Sequence, residues 1–167
     1  HAHRTIFESL PSPTLDDLKN KLPALWLAAL AESPIPISEE ELAPFLQKSH
    51  ENISWYYDTY FSHEKGATIA VEKKLMYPLN AQHKQWLIGF VDRISQPEDD
   101  KLVIHDYKTG SSKMGEKALA TDFQATLYGA MVAHTYQPLR EIELHWHYLT
   151  HQKTVRVKVD PENVRAS

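Results

Sequence analysis

The sequence predicts an α/β (α+β) fold in which helices flank a mixed central sheet and a helical N-terminal part precedes it. Up to residue 66 the apolar residues recur at helical spacing, whereas from residue 67 several segments alternate like strands. These elements follow one another as helices, three strands, one helix and two strands. That order is typical of a sheet with helices packed against it.

The N-terminal part is predicted to contain at least two helices. Thr14 can cap a helix over residues 14–31. Ser38 with Glu41 forms a capping box before residues 39–62, which are expected to form one long helix or two with an interruption near Pro44. Aromatic residues at helical spacing end the second helix, and we interpret them as packing residues rather than a base-stacking platform. They are Trp55, Tyr56, Tyr57, Tyr60 and Phe61.

The remainder is predicted to supply the sheet. A helix is predicted over residues 121–136, and it can start earlier, near Glu116. It divides the predicted strands into two groups. We expect residues 1–66 and 67–167 to form one domain, and we interpret the abrupt start at His1 as that of a fragment of a larger protein. The predicted strands cover residues 68–79, 84–95, 101–107, 141–149 and 154–159.

Composition excludes several kinds of site. The 167 residues contain no cysteine, which rules out disulfides, thiolate zinc sites and a cysteine-ligated iron–sulfur cluster. No apolar run approaches the roughly 18 residues of a membrane span, so we expect no membrane partner and a cytoplasmic location. The net charge of −4 is concentrated in residues 1–60. Nucleic-acid binding would therefore need locally concentrated basic residues, or help from another part of a larger protein.

Two carboxylates and a lysine are set into segments that are otherwise apolar and strand-like. Residues i and i+2 of a strand share a face, so Asp106 and Lys108 project together, and Asp92 comes alongside if the two segments pair. Two carboxylates beside an ammonium can hold a divalent cation and place a water next to it. The alternative is a structural Asp106–Lys108 ion pair, because a buried charge needs a partner. For Asp92 the alternative is a surface ion pair with Arg93.

Two further pairs share a face of their elements. Gln124 and Tyr128 are four residues apart on a predicted helix, so both can lean over the end of the sheet or form ordinary helix surface. His145 and His147 are two residues apart on a predicted strand and could chelate zinc in a hydrolase. No third and fourth ligand lie at local spacing, so we expect a solvated strand face instead.

Three segments in order, residues 89–94, 106–110 and 124–128, resemble the motifs of the PD-(D/E)XK nuclease superfamily. They read GFVDRI, DYKTG and QATLY, similar to G-x-x-D-R-[IV], D-Y-K-T-G and Q-x-x-x-Y of its RecB-like branch. That branch includes nuclease domains at the C-termini of DNA-repair helicases. The resemblance implies a restriction-endonuclease-like fold and a metal-dependent DNA exonuclease or endonuclease, with helicase domains of the same polypeptide or complex as partners.

The resemblance also implies a role for each matching residue. Asp92 and Asp106 would bind Mg²⁺ or Mn²⁺ together with the backbone carbonyl of Tyr107. Lys108 would orient or deprotonate the attacking water and stabilise charge on the phosphate. Gln124 and Tyr128 would support this site and the DNA backbone.

Other roles rest on single positions. A histidine near the start of the domain is a metal ligand in this branch, for which His3 is the candidate and His1 the competitor. Glu72 matches an acidic position before the first core strand and would support the site from behind the ligands. Lys113 and Lys117 can contact phosphates or form a solvated helix start.

A function of another class is compatible with the same residues. A nuclease fold that has lost activity can serve as a module for DNA binding or protein docking, and the acidic balance favours this alternative. The complete set of Asp92, Asp106 and Lys108 argues against it, because such a module does not need all three.

Overall fold

The computed structural model describes residues 13–32, 37–80, 84–138 and 141–159. The chain divides into two compact units, residues 1–64 and residues 65–167. The first is helical, and the second contains the sheet with its own helices. None of the described helices is long and apolar enough to cross a membrane.

Two helices form the described part of the first unit. α1 spans Leu15–Ala31 and α2 spans Glu39–Thr59, followed by a 3₁₀ turn over Phe61–His63. The predicted caps are present, because the side chains of Thr14 and Ser38 each accept the N–H of the residue three positions on. Each cap satisfies backbone donors that the first helical turn leaves unpaired.

The two helices pack on each other through aromatic contacts. The indole N–H of Trp26 on α1 donates to Ser49 Oγ on α2 at 3.0 Å. Tyr56 is buried and stacks on Tyr60. The prediction that these aromatic residues pack within the helical unit is therefore confirmed for Tyr56 and Tyr60.

A five-stranded mixed sheet forms the centre of the second unit, in the order β1-β2-β3-β4-β5. Neighbours are antiparallel except β3 and β4, which are parallel. The prediction of a mixed sheet flanked by helices is confirmed. The strands span Ala67–Asn80 (β1), Gln85–Glu98 (β2), Lys101–Lys108 (β3), Glu141–Tyr148 (β4) and Lys153–Val159 (β5).

The helices of this unit lie in the connection between the two parallel strands, since a parallel pair requires a crossover. α3 spans Glu116–Leu119 and α4 spans Phe123–Thr135. The single helix predicted near Glu116 is thus two helices, because the Asp122 side chain accepts the N–H of Ala125 and starts α4 afresh. A 3₁₀ turn over Leu149–His151 joins β4 to β5.

α4 covers one face of the sheet and closes the hydrophobic core. Met131 and Val132 of α4 pack with Ile104 of β3 and Leu144 of β4, and all four are fully buried. Gly89 of β2 permits this close approach, because a Cβ there would lie 2.9 Å from Met131 Sδ. A side chain at Gly89 would therefore require the end of the Met131 side chain to shift.

The alternation of β2 breaks once, at Asp92 and Arg93. In a regular strand every second residue faces the same side. Gly89, Val91 and Ile94 all face the core under α4, but two residues, Asp92 and Arg93, lie between Val91 and Ile94 instead of one. Opposite this break, Glu72 of β1 has left-handed backbone with φ 46°. The irregularity lets neighbouring residues of β2 point in different directions.

Gly66 provides a test of the sheet's entry. Its φ is 88°, and a Cβ at this position would overlap the backbone carbonyl of Gln96. Gly66→Ala should therefore lower the free energy of unfolding by roughly 1–3 kcal/mol in urea titrations. Gly115→Ala is the control, since a Cβ there meets no atom within 4 Å. Equal stability of the two variants would contradict the described turn.

Candidate active site

β2 and β3 separate where two aspartates stand. Their continuous pairing ends at Arg93 of β2 and His105 of β3, and a gap opens between the two strands beyond this pair. The next residue on the gap side is Asp92 in β2 and Asp106 in β3. The N–H of Tyr107 donates to Asp92 Oδ2 at 2.9 Å. A carboxylate therefore takes the place that a backbone acceptor would have in a continued ladder.

Asp106 carries a buried charge with little compensation. It is 3% exposed, and its Oδ2 lies 2.7 Å from Lys108 Nζ. Apart from this ammonium, that oxygen has no hydrogen-bonding partner among the described residues. Burial raises the pKa of Asp106; Lys108 opposes the rise, whereas the charges of Asp92 and Asp122 add to it. Ionisation of the Asp106 carboxyl therefore costs free energy of folding unless a second cation binds beside it in addition to Lys108.

Lys108 is held on three sides at the end of β3. Besides Asp106, its ammonium donates to Gln124 Oε1 at 3.2 Å and lies 4.7 Å from the centre of the Trp146 ring. About a third of the side chain remains exposed. The ammonium is therefore fixed in direction while it stays accessible from the cleft beside it.

A directed chain of hydrogen bonds connects Gln124 to the sheet. Gln124 Nε2 donates to the Tyr128 hydroxyl at 2.8 Å, and that hydroxyl donates to the carbonyl of Phe90 at 2.9 Å. Burial raises the pKa of Tyr128, which keeps its hydroxyl protonated and able to donate. The structure thus brings Gln124 and Tyr128 over the end of the sheet, which is one of the two alternatives that their spacing left open.

A cleft of about 320 Å³ opens beside Lys108. The third carboxylate of this region, Asp122, lies in its wall, and Lys113 lies there as well. The cleft therefore offers two cationic groups and apolar rings to a ligand. Its lining residues are Lys108, Gly110, Ser112, Lys113, Met114, Asp122, Gln124, Trp146 and Tyr148.

Of the other residues predicted for the site, those that the structure describes do not line the cleft. Lys117 is exposed on α3 and is not part of the cleft wall. Glu72 is exposed on β1, where Val71 pairs with Arg93 and Lys73 pairs with Val91, so it stands across from Asp92. His3 lies outside the described residues.

The structure contradicts two interpretations of the sequence, the alternative of a surface Asp92–Arg93 pair and the expectation that His145 and His147 lie on a solvated face. Arg93 does not form a surface pair, since it is 1% exposed and donates to the Tyr107 hydroxyl at 3.0 Å. His145 and His147 do not lie on a solvated face, because His147 is fully buried and His145 is largely covered. Strand alternation gave the correct face but not what covers it.

The carboxylate side of the sheet fits a divalent metal ion better than the reverse face does. Asp92 and Asp106 are oxygen donors, which Mg²⁺ and Mn²⁺ prefer. Within the described part of the chain, Asp106 Oδ2 has only the Lys108 ammonium beside it. His105, His145 and His147 also lie close together on the reverse face. However, the Arg93 guanidinium lies 3.0 Å from His105 Nδ1 and would repel a cation there.

Comparison with known families agrees with this geometry. The family model of the PD-(D/E)XK nuclease superfamily matches residues 2–166, nearly the whole chain. A comparison with individually curated proteins gave no match. The three motif segments lie inside the matched range, and the structure gathers their polar side chains at one end of β3.

Sequence reasoning did not identify Met114, Asp122, Trp146 and Tyr148 as residues of the cleft. Asp122 precedes the helical motif by two positions, so its capping pattern was the available signal. In the sequence, Trp146 and Tyr148 belong to one apolar face of the strand predicted over residues 141–149. Because β4 is parallel to β3 and pairs Asp106 with Trp146, that face continues into the cleft.

The sign of the Asp106 contribution distinguishes a functional carboxylate from a structural ion pair. Because the folded state raises the pKa of Asp106 above 3.8, stability falls as pH rises through the window between the ordinary and the raised value. Asp106→Asn should therefore raise the Tm of the metal-free protein at pH 7, with the difference shrinking towards pH 4.

Glu143→Gln is the matched control with the opposite sign. Although burial raises the pKa of Glu143, hydrogen bonds from Lys101 and His145 outweigh it and lower that pKa overall. This variant should lose stability at pH 7. A decrease in Tm for Asp106→Asn as well would show that its pair with Lys108 is structural.

Proposed function

The chain belongs to the PD-(D/E)XK nuclease superfamily, and we propose that it hydrolyses phosphodiester bonds in DNA with the help of Mg²⁺ or Mn²⁺. The observation that carries the proposal is the arrangement at the separated ends of β2 and β3. There Asp92 reaches the backbone of β3, and Asp106 lies 2.7 Å from Lys108 beside an open cleft.

Asp92, Asp106 and the carbonyl of Tyr107 would hold the metal ion. The two backbone polar groups of a residue in an extended strand point towards the same neighbour. Since the Tyr107 N–H points to Asp92, its carbonyl is directed to the same gap. When bound, the ion would polarise a phosphate oxygen and lower the pKa of a water. His3 is the candidate for a further ligand.

Lys108 would place the attacking water and stabilise the charge that develops on the phosphate. Gln124 supports this role by accepting a hydrogen bond from the ammonium at 3.2 Å. Tyr128 fixes the Gln124 amide in turn, and its own hydroxyl is anchored on the Phe90 carbonyl. The contact with Gln124 would therefore keep Lys108 in position if Asp106 bound a metal ion in place of the ammonium.

DNA is the proposed partner. Lys113 in the cleft wall and Lys117 on α3 are the proposed phosphate contacts, with Glu72 in a supporting position on β1. Phosphate contacts carry no sequence information, so cutting should show little sequence preference. The motifs are those of the RecB-like branch, which favours a DNA-repair helicase as the protein that works with this domain.

The first experiment measures cutting of linear single-stranded and double-stranded DNA with Mg²⁺, with Mn²⁺ and with chelator. Asp106→Ala and Lys108→Ala should each reduce metal-dependent cutting by at least about 100-fold, because each removes a group acting on the reacting phosphate or water. The matched control is Lys101→Ala at the other end of β3. It removes a lysine–carboxylate pair of similar length, 2.8 Å to Glu143, far from the cleft.

Two outcomes would contradict the proposal. Cutting that persists in Asp106→Ala or Lys108→Ala would show that another site, or a contaminant, is responsible. DNA binding by the wild-type protein without cutting under any metal condition would favour an inactive DNA-binding module instead.

The lysine contacts are tested through salt dependence. Lys113→Ala should weaken DNA binding for all sequences alike and reduce the slope of log K against log salt by about 1. Lys117→Ala should have a smaller effect, because Lys117 lies outside the cleft wall. Fluorescence anisotropy with chelator present measures binding without cutting. An unchanged slope in both variants would place the DNA elsewhere.

A further inference from the structure

Arg93 is a buried cation that contacts hydroxyl and imidazole groups on the reverse face of the sheet. Its Nε donates to the Tyr107 hydroxyl at 3.0 Å, and its two terminal nitrogens contact Thr68 Oγ1 at 3.1 Å and His105 Nδ1 at 3.0 Å. Burying a charge is costly, and hydrogen bonds compensate only part of that cost. The contacts of Arg93 connect β2 to both of its neighbours, β1 through Thr68 and β3 through Tyr107 and His105.

The surrounding imidazoles are compatible with the guanidinium only when neutral. His105 Nδ1 accepts from Arg93, so its Nε2 carries the proton and donates to Ser95 Oγ at 2.8 Å. His147 Nε2 lies 3.0 Å from His105 Nδ1 and is therefore its protonated nitrogen. Its Nδ1 accepts from Thr154 Oγ1 at 2.8 Å. Arg93, His105 and His147 thus form one ordered network.

This network acts on Tyr107 from the face opposite the cleft. The Tyr107 ring stacks on His147 with ring centres 5.2 Å apart, while its hydroxyl accepts from Arg93. In the plane of the sheet, the Tyr107 N–H donates to Asp92 Oδ2 at 2.9 Å. The hydrogen bonds of Tyr107 to Arg93 and to Asp92 both join β3 to β2, next to the point where continuous pairing of the two strands ends.

We propose that Arg93 is a positioning residue, which fixes Tyr107 from the reverse face and so sets the separation of Asp92 and Asp106. Arg93 directly follows Asp92, and Tyr107 directly follows Asp106. The Arg93–Tyr107 hydrogen bond therefore spans the same two strands as the carboxylates, one residue further on. Outer contacts of this kind typically change metal affinity by about 10–100-fold. The inference rests on the proposed function.

The test compares Tyr107→Phe with Thr68→Val, because replacing Arg93 itself risks unfolding the protein. Each variant removes one hydroxyl that accepts from the same guanidinium. Only Tyr107 also carries the backbone groups at the site, and Phe keeps the ring that stacks on His147. In each variant Arg93 therefore loses one hydrogen bond to a hydroxyl. Only in Tyr107→Phe does this loss affect a residue whose backbone contacts Asp92.

Two readouts are measured on the full chain. In the metal-free protein, NMR hydrogen exchange should show about tenfold lower protection of the amide at position 107 in Tyr107→Phe and no change in Thr68→Val. In calorimetry, the Kd for Mn²⁺ should rise about tenfold in Tyr107→Phe alone. Thermal unfolding should show similar losses for both, which confirms the matching.

Each other outcome is decisive. Unchanged protection in Tyr107→Phe, or equal changes in both variants, would overturn the inference. Reduced protection with unchanged Mn²⁺ affinity would overturn it as well, since the hydrogen bond would then be structural only. If the wild-type protein binds no Mn²⁺, the proposed metal site fails, whereas the exchange comparison still shows whether Arg93 fixes Tyr107.

Discussion

The separation of β2 from β3 beyond Arg93 and His105 is the constraint on which the site depends. An antiparallel pair that continued would place backbone hydrogen bonds where Asp92 now binds the Tyr107 N–H. The break in the alternation of β2 makes this possible, because it directs Asp92 to the gap and Arg93 to the reverse face. The core under α4 meanwhile stays continuous on both sides of the break.

The chemistry of the site follows from how little its charges are compensated. Asp106 is buried with one ammonium beside it, and burial raises its pKa. We expect such an arrangement to lower the stability of the metal-free protein and to favour the binding of a cation, as is typical where function rather than stability selects a residue. The hydrogen-bond chain from Lys108 to Phe90 holds the ammonium in place beside the carboxylates.

The sequence was sufficient for those features that depend on periodicity and motif order. Strand alternation put Asp106 and Lys108 on one face, and capping boxes placed both N-terminal helices. The role of Asp122 and the burial of His147 could not be predicted in the same way. Both depend on which strands become neighbours, and the parallel pairing of β3 with β4 joins residues about forty positions apart.

The position of the metal ion tests the central claim most directly. A crystal soaked in Mn²⁺ should show an anomalous peak bounded by the carboxylates of Asp92 and Asp106 and the carbonyl of Tyr107. A peak among His105, His145 and His147 would place the metal on the wrong face of the sheet. Either that result or no bound Mn²⁺ between the two aspartates would contradict the account.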